Sequence, residues 1–463
     1  MKNFKVEVIR GKEKIGENLI EVKSAQAKIL LECGVALEPT EKTKKLEKKV
    51  LRTFYDAVIV SHYHLDHAGL LKYPLKTNKI YMGKDTYKIL EISGNICKEN
   101  KGKVQFFKGR QAFKVKDVAI KPFLCDHSAY DSYMIALYQG EEKILYTGDF
   151  RANGRKNFDS LLKNLPKKVD LLICEGTLSS EKNQTEKELE EKMVEVFKQY
   201  KHVFILKSSQ NFDRDVTIYR AAKRTGKTYI QHLSTANVAK ELPNIPNPSS
   251  FDDCYTYIPN TVSEVKHKTI KETYKDKLLS RGQITKMDNF VMQITSSMKG
   301  YLKKIKDEGR WLDSVAIFSM WEGYKKEMYD VLLLFDSSDS AVVITNGMVS
   351  ALGDVDGIIY ACRHTEDAYN AMSLFSEMHD LDYSNRQSTA LMFMPLDKFT
   401  MFERPMSQMK NDGLNVIDLH TSGHADKQSI KKLMYSVSPK EIIYVHTNKK
   451  GENTDGLQSF IME

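Results

Sequence analysis

Between residues 61 and 69 the chain reads Ser61-His62-Tyr63-His64-Leu65-Asp66-His67-Ala68-Gly69. Neutral imidazole and carboxylate together suit a divalent cation such as zinc or manganese. The run directly follows Ala57-Val58-Ile59-Val60, an apolar stretch that predicts a buried strand. Extended backbone repeats its side-chain direction every two residues, so His62 and His64 point the same way. Asp66 and His67 then open a short helix, with Leu70 and Leu71 packing beneath it. One turn thus offers two histidines to one metal and an aspartate with a histidine to a second. A polar surface turn would have no reason to concentrate these residue types.

Other candidates recur in the same setting. Val118-Ala119-Ile120, Lys143-Ile144-Leu145-Tyr146 and Leu171-Leu172-Ile173-Cys174 also read as buried strands, and His127, Asp149 and Glu175 follow them. Near the end come His420-Thr421-Ser422-Gly423-His424-Ala425-Asp426 and Tyr444-Val445-His446-Thr447. Each motif alone resembles an ordinary strand-closing turn. Open α/β sheets hold ligands beyond the carboxyl ends of their strands, so the repeated placement points to one shared site.

Taken together, these motifs resemble the metallo-β-lactamase superfamily, and within it the β-CASP nuclease branch to which ribonuclease J-like proteins belong. The resemblance implies an α/β chain: a metallo-β-lactamase αββα sandwich carrying an inserted α/β β-CASP domain. It implies two divalent metal ions, zinc in the first place and manganese as the substitute. His62, His64, His127 and Asp149 would hold one; Asp66, His67, Asp149 and His446 would hold the other. Asp66, Glu175 and His424 form the implied catalytic set, with Glu175 and His424 beside the leaving group. The last motif of this branch resembles the RNA-cleaving members when it is histidine, as at His446. The implied reaction is therefore cleavage of single-stranded RNA by attack of a metal-bound hydroxide on phosphorus. His424, oriented by Glu175, would protonate the leaving oxygen. His420 and Ser422 sit in the same turn, placed either to hold a phosphate oxygen or to make ordinary turn hydrogen bonds. A small-molecule hydrolase of thioesterase or lactonase type and a DNA nuclease are the alternatives on the same fold. The sequence departs from the family pattern at Glu32, where aspartate is usual. It also runs only to Glu463 beyond His446, so the resemblance does not extend to the C-terminal domain of ribonuclease J.

The elements that must position these residues divide the chain into three stretches. Residues 1–178 alternate short apolar runs with polar turns and form the first lactamase segment. Residues 179–412 form the insertion, opened by the capping box Thr185-Glu186-Lys187-Glu188 and a helix with Leu189, Met193, Val196 and Phe197 on one face. Residues 413–463 return to the first domain. Ser208-Ser209-Gln210-Asn211-Phe212-Asp213-Arg214 gives the insertion a loose resemblance to ribonuclease J.

With 463 residues, 41% of them hydrophobic, the chain is long enough for more than one core. The net charge of +9 is compatible with a polyanionic partner such as RNA. Six cysteines without a CxxC pair leave metal binding to histidine and carboxylate. No apolar run is long enough to span a bilayer and no apolar leader begins the sequence, so the expected location is the cytoplasm, without a membrane partner. A homo-oligomer is compatible with all of this. Ala221-Ala222-Lys223-Arg224-Thr225-Gly226-Lys227-Thr228 ends like a P-loop but has Ala221 where the first glycine belongs. Trp321 and Tyr324 could stack bases, but aromatics at this spacing are more often core residues.

Overall fold

The structure is a computed structural model. It describes residues 1–320 and 413–447, except 13, 37–39, 178–179, 258–269 and 296–298, and adds four strands between those two stretches. Trp321, Tyr324 and Cys362 lie outside the described residues.

Two six-stranded sheets form the first body. One runs Lys5–Arg10, Leu19–Lys23, Lys28–Leu31, Tyr55–Ile59, Thr77–Met82, Val104–Phe106. The other runs Glu441–Val445, Leu171–Glu175, Glu142–Tyr146, Ser132–Gln139, Val118–Cys125, Phe113–Val115. Alternation along each strand decides which layer it packs against. Ile29, Leu31, Ala57 and Ile59 of the first sheet meet Ile144, Tyr146, Leu171 and Ile173 of the second in a shared core. The intervening residues face outward and are buried by helices. Leu30, Val58 and Val60 pack with Ile89 and Leu90 of the helix Lys84–Ile92. Leu145, Leu172 and Cys174 pack with Leu161 and Leu162, and with Ile430, Leu433 and Val437 of the helix Lys427–Val437. Strands buried on both faces are why these runs read as continuously apolar. The result is helix, sheet, sheet, helix, the sandwich anticipated from the motifs.

A third sheet is wholly parallel, in the order Leu278–Leu279, Cys254–Tyr257, Thr228–His232, Phe290–Gln293, His202–Lys207, Ser314–Ser319, Asn415–Asp418. Its entry is the capping box read from the sequence: Thr185 and Glu188 bond reciprocally at the start of the helix Glu186–Gln199. Leu189, Met193 and Phe197 of that helix are buried, and Val196 partly so. The P-loop-like stretch begins inside the helix Phe212–Arg224, where no phosphate loop could form.

One strand lies elsewhere than expected. Asn415–Asp418 pairs with Ser314–Ser319 in the third sheet and not with the sandwich. The chain re-enters the sandwich through Lys427–Val437 and Glu441–Val445, the latter extending the second sheet beside Leu171–Glu175. Sequence cannot separate the two runs because both are short, apolar and followed by a histidine; parallel pairing decides. Among the described residues no helix is long and apolar enough to cross a membrane. Cys33, Cys97, Cys125, Cys174 and Cys254 are free thiols.

Candidate metal centre

The strands Tyr55–Ile59, Val118–Cys125, Glu142–Tyr146, Leu171–Glu175 and Glu441–Val445 deliver their carboxyl ends to one edge of the sandwich. His62, His127, Asp149, Glu175 and His446 stand there. His62, His64 and His127 converge with ring nitrogens within 4.8 Å of one another. Asp66, His67, Asp149 and His446 form a second set, and Asp149, Glu175, His424 and His446 a third, within the same limit. Every metal-ligating residue expected from the sequence is therefore in one place, brought from four separate stretches of chain.

The spacings suit donors arranged around a divalent cation. Two atoms each 2.0–2.1 Å from a tetrahedral zinc stand about 3.3 Å apart. Here His64 Nδ1 and His127 Nε2 are 3.2 Å apart, His67 Nε2 and Asp149 Oδ2 3.2 Å, and His446 Nε2 and Asp66 Oδ2 3.2 Å. Asp149 Oδ2 faces both sets, 3.5 Å from His446 Nε2, 3.8 Å from His127 Nε2 and 4.0 Å from His62 Nε2. His62 Nε2 is buried with no hydrogen-bond partner, a costly state that a bound cation would relieve.

The opposite ring nitrogens are held from behind. His62 Nδ1 meets Ser61 Oγ at 2.9 Å, His127 Nδ1 meets the Gly423 carbonyl at 2.6 Å, and His446 Nδ1 meets Thr177 Oγ1 at 2.9 Å. Such partners fix the ring orientation of metal-binding histidines. Sequence reading missed Ser61, Thr177 and Gly423 in this role; the adjacency of Ser61 to His62 was the one available signal. It also missed Asn18, whose buried amide lies 3.1 Å from His67 Nε2.

Electrostatics sort the histidines. Burial pushes His62 and His127 well below the usual imidazole range, and His64 down to about 4. Each is thus neutral, as a ligand must be. His67 goes the other way: burial opposes its charge, but Asp149 and Asp66 outweigh burial and raise it. Burial alone would also raise Asp149, yet His446 and His67 hold it well below the usual carboxylate range.

Two glycines make the geometry possible. Gly148, just before Asp149, has φ +54°, and a Cβ there would stand 3.0 Å from Ser61 Cβ and 3.1 Å from the Tyr133 carbonyl. Gly34 lies so close to the Asp66 carbonyl that any side chain would overlap it. Both let donor loops approach each other's backbone.

Comparison with known proteins places this geometry. Residues 28–203 match a beta-lactamase superfamily domain, and residues 414–451 match a Zn-dependent metallo-hydrolase RNA specificity domain. Over those two segments the chain is similar to the beta-lactamase superfamily and its metallo-hydrolases. The RNase J-like protein of Methanocaldococcus jannaschii is 30% identical over 185 residues, 37% of this chain and 42% of its own. Integrator complex subunit 11 of Danio rerio is 26% identical over 212 residues, 39% and 35% respectively. The chain spans less than half the length of the curated relatives it matches. In fold it is similar to a crystal structure of a protein of unknown function from Enterococcus faecalis V583. That likeness has a TM-score of 0.62 and 15% identity, and it covers 96% of this chain and 94% of that one.

With those matches, the histidine and aspartate cluster is a divalent-metal site. Glu32, the departure from the usual aspartate, is fully buried with φ +61°. Its two oxygens accept the Ser61 N–H at 3.1 and 3.3 Å, and Oε1 lies 3.5 Å from His67 Nδ1. Glu175 is buried and accepts the Phe150 N–H through Oε1; its Oε2 contacts His424 Nδ1 at 2.9 Å. His420 lies 3.5 Å from Arg214 Nη1. Ser422 Oγ accepts the His424 N–H at 3.0 Å, which is the turn-forming bond that its position also allowed.

Proposed function

We propose that the chain is a two-metal phosphodiesterase that cleaves single-stranded RNA. The observation that carries the reading is the convergence of two donor sets on Asp149, with the Glu175–His424 pair beside them. His62, His64 and His127 with Asp149 would hold one cation, and Asp66, His67 and His446 with Asp149 the other. When bound, the cations supply positive charge to the phosphate and lower the pKa of water to about 7.

The remaining steps belong to the protein. Glu175, buried and fixed by the Phe150 amide, keeps one oxygen on His424 Nδ1. Burial works against a charged His424, but Glu175 outweighs it and, with Asp149, pushes His424 up to about 9. The Glu175 contact favours a proton on His424, whose side chain is 25% exposed while that of Glu175 is wholly buried. A proton is thus presented at the wall of the site, where a leaving oxygen needs one. Burial and the neighbouring Arg214 push His420 down to about 3; a neutral His420, together with Ser422, lines the approach to the phosphate.

RNA as the substrate rests on His446, on the RNA specificity domain matched by residues 414–451, and on relatives named as an RNase J-like protein and a probable RNase. The test is hydrolysis of end-labelled single-stranded RNA and DNA with zinc or manganese, comparing wild type with His64→Ala and His424→Ala. Metal-dependent RNA cleavage, lost or strongly reduced in both variants, supports the reading. Intact RNA and DNA with metal demonstrably bound would overturn it in favour of a small-molecule hydrolase.

A further inference from the structure

The segment 208–214 follows the strand His202–Lys207 of the third sheet, yet its contacts lead back to the sandwich. The Gln210 carbonyl accepts the Tyr63 hydroxyl at 2.7 Å. Tyr63 sits between His62 and His64 and is 1% exposed. The same hydroxyl accepts the Tyr130 N–H at 3.1 Å, from the loop that carries His127. Three residues on, Asp213 Oδ2 accepts Arg151 Nη2 at 2.6 Å. Arg151 is wholly buried two positions after Asp149, and its Nε donates at 2.7 Å to Asp126, the neighbour of His127. Arg214 Nη2 donates at 3.3 Å to the Thr421 carbonyl, in the turn that bears His424. Between these, Phe212 is fully buried in one core cluster with Tyr63, Leu70 and Ala129.

Seven consecutive residues thus reach the loops of His62 and His64, of His127, of Asp149 and of His424. Donor atoms must be held within about 0.5 Å, and this is achieved by partners whose own positions are locked. We propose that segment 208–214 is a keystone of the metal centre. Through Tyr63 and Arg151 as positioning residues, the inserted sheet sets the donor geometry. The proposal rests on the two-metal reading of the site.

The test uses the full chain and cobalt(II) as the probe, with wild type, Tyr63→Phe and Asp213→Asn. Tyr63→Phe keeps the buried ring and removes only the hydroxyl; Asp213→Asn keeps the shape and removes the charge. The readouts are the visible absorption of the cobalt-loaded protein, cobalt affinity by competition with a chromophoric chelator, and melting temperature in excess chelator. Both variants are expected to lose about 10–100-fold in affinity, the usual cost of losing an outer-shell partner. Their cobalt spectra should shift; the metal-free melting temperature should stay near wild type in Tyr63→Phe and fall in Asp213→Asn, where the buried Arg151 loses a charged partner. Wild-type spectra and affinities in both variants would overturn the proposal, whether or not KM for RNA or stability changed. A wild-type protein that binds no cobalt would instead defeat the metal-site reading on which the proposal stands.

Discussion

His127 and Gly423 are 296 positions apart in the chain, and His127 Nδ1 lies 2.6 Å from the Gly423 carbonyl. A carbonyl only accepts, so Nδ1 carries the proton and Nε2 is left with its lone pair turned toward His64 and Asp149. The turn that supplies the proposed proton donor, His424, therefore also sets the tautomer of a proposed metal ligand. Gly423 suits this position because a Cβ there would stand 2.8 Å from Ser128 Cβ.

Metal should stabilise the folded chain. Ligands that bind the native state alone add RT ln(1 + [L]/Kd), about 2.7 kcal/mol at a hundredfold excess over Kd. The melting temperature should rise with zinc concentration and fall back on adding chelator. In His64→Ala and Asp149→Asn the rise should be small or absent; an equal rise in both variants would mean the cation binds elsewhere.

His424→Ala should separate chemistry from metal binding. Turnover should fall by roughly 10²–10⁴-fold, with both equivalents of metal retained by elemental analysis. Glu175→Gln should fall in the same direction, because an amide has one acceptor oxygen for the two donors, the Phe150 N–H and His424 Nδ1, that Glu175 serves. Loss of metal along with activity would assign His424 to coordination instead.

Gly148→Ala tests the turn before Asp149. A left-handed alanine costs about 1–2 kcal/mol, and the contacts with Ser61 and the Tyr133 carbonyl add to it. The variant should be less stable to urea and bind metal more weakly, since relief of the clash moves Asp149. Unchanged metal affinity would show that the loop yields elsewhere.

Glu186 joins Arg151 and Arg214 in a buried network, 3.2 and 3.1 Å from their guanidinium nitrogens. Burial alone would raise its pKa, but Arg214 and Arg151 hold it well below the ordinary 4.5. A depressed folded pKa means the unfolded chain binds the extra proton first. The stabilisation is therefore present above pH 4.5 and is lost as pH falls through the folded value. Glu186→Gln leaves buried guanidinium charge uncompensated and should cost about 3–5 kcal/mol at pH 7 by urea unfolding. The gap from wild type should narrow below pH 4.5; a constant gap down to pH 3 would remove Glu186 from the charge balance.

Much of the site was legible because it is local. His62, His64, Asp66 and His67 lie in one turn after one strand, and their types and spacing announce a metal. The helix beginning at Glu186 was equally plain, since a capping box and an apolar face are short-range patterns. Family resemblance then supplied His127, Asp149, Glu175, His424 and His446, which periodicity alone would have left as five separate strand-closing turns. What only the tertiary structure decided is pairing and second contact. Asn415–Asp418 and Glu441–Val445 look alike in sequence, yet one completes the third sheet and the other the sandwich. Thr177 and Gly423 acquire their places behind the histidines, and Asn18 its place beside His67, only when distant strands share an edge. The same holds for Tyr63 and Gln210, 147 positions apart. Such contacts are fixed by which strands are neighbours, and neighbourhood is a property of the whole packed chain rather than of any window along it.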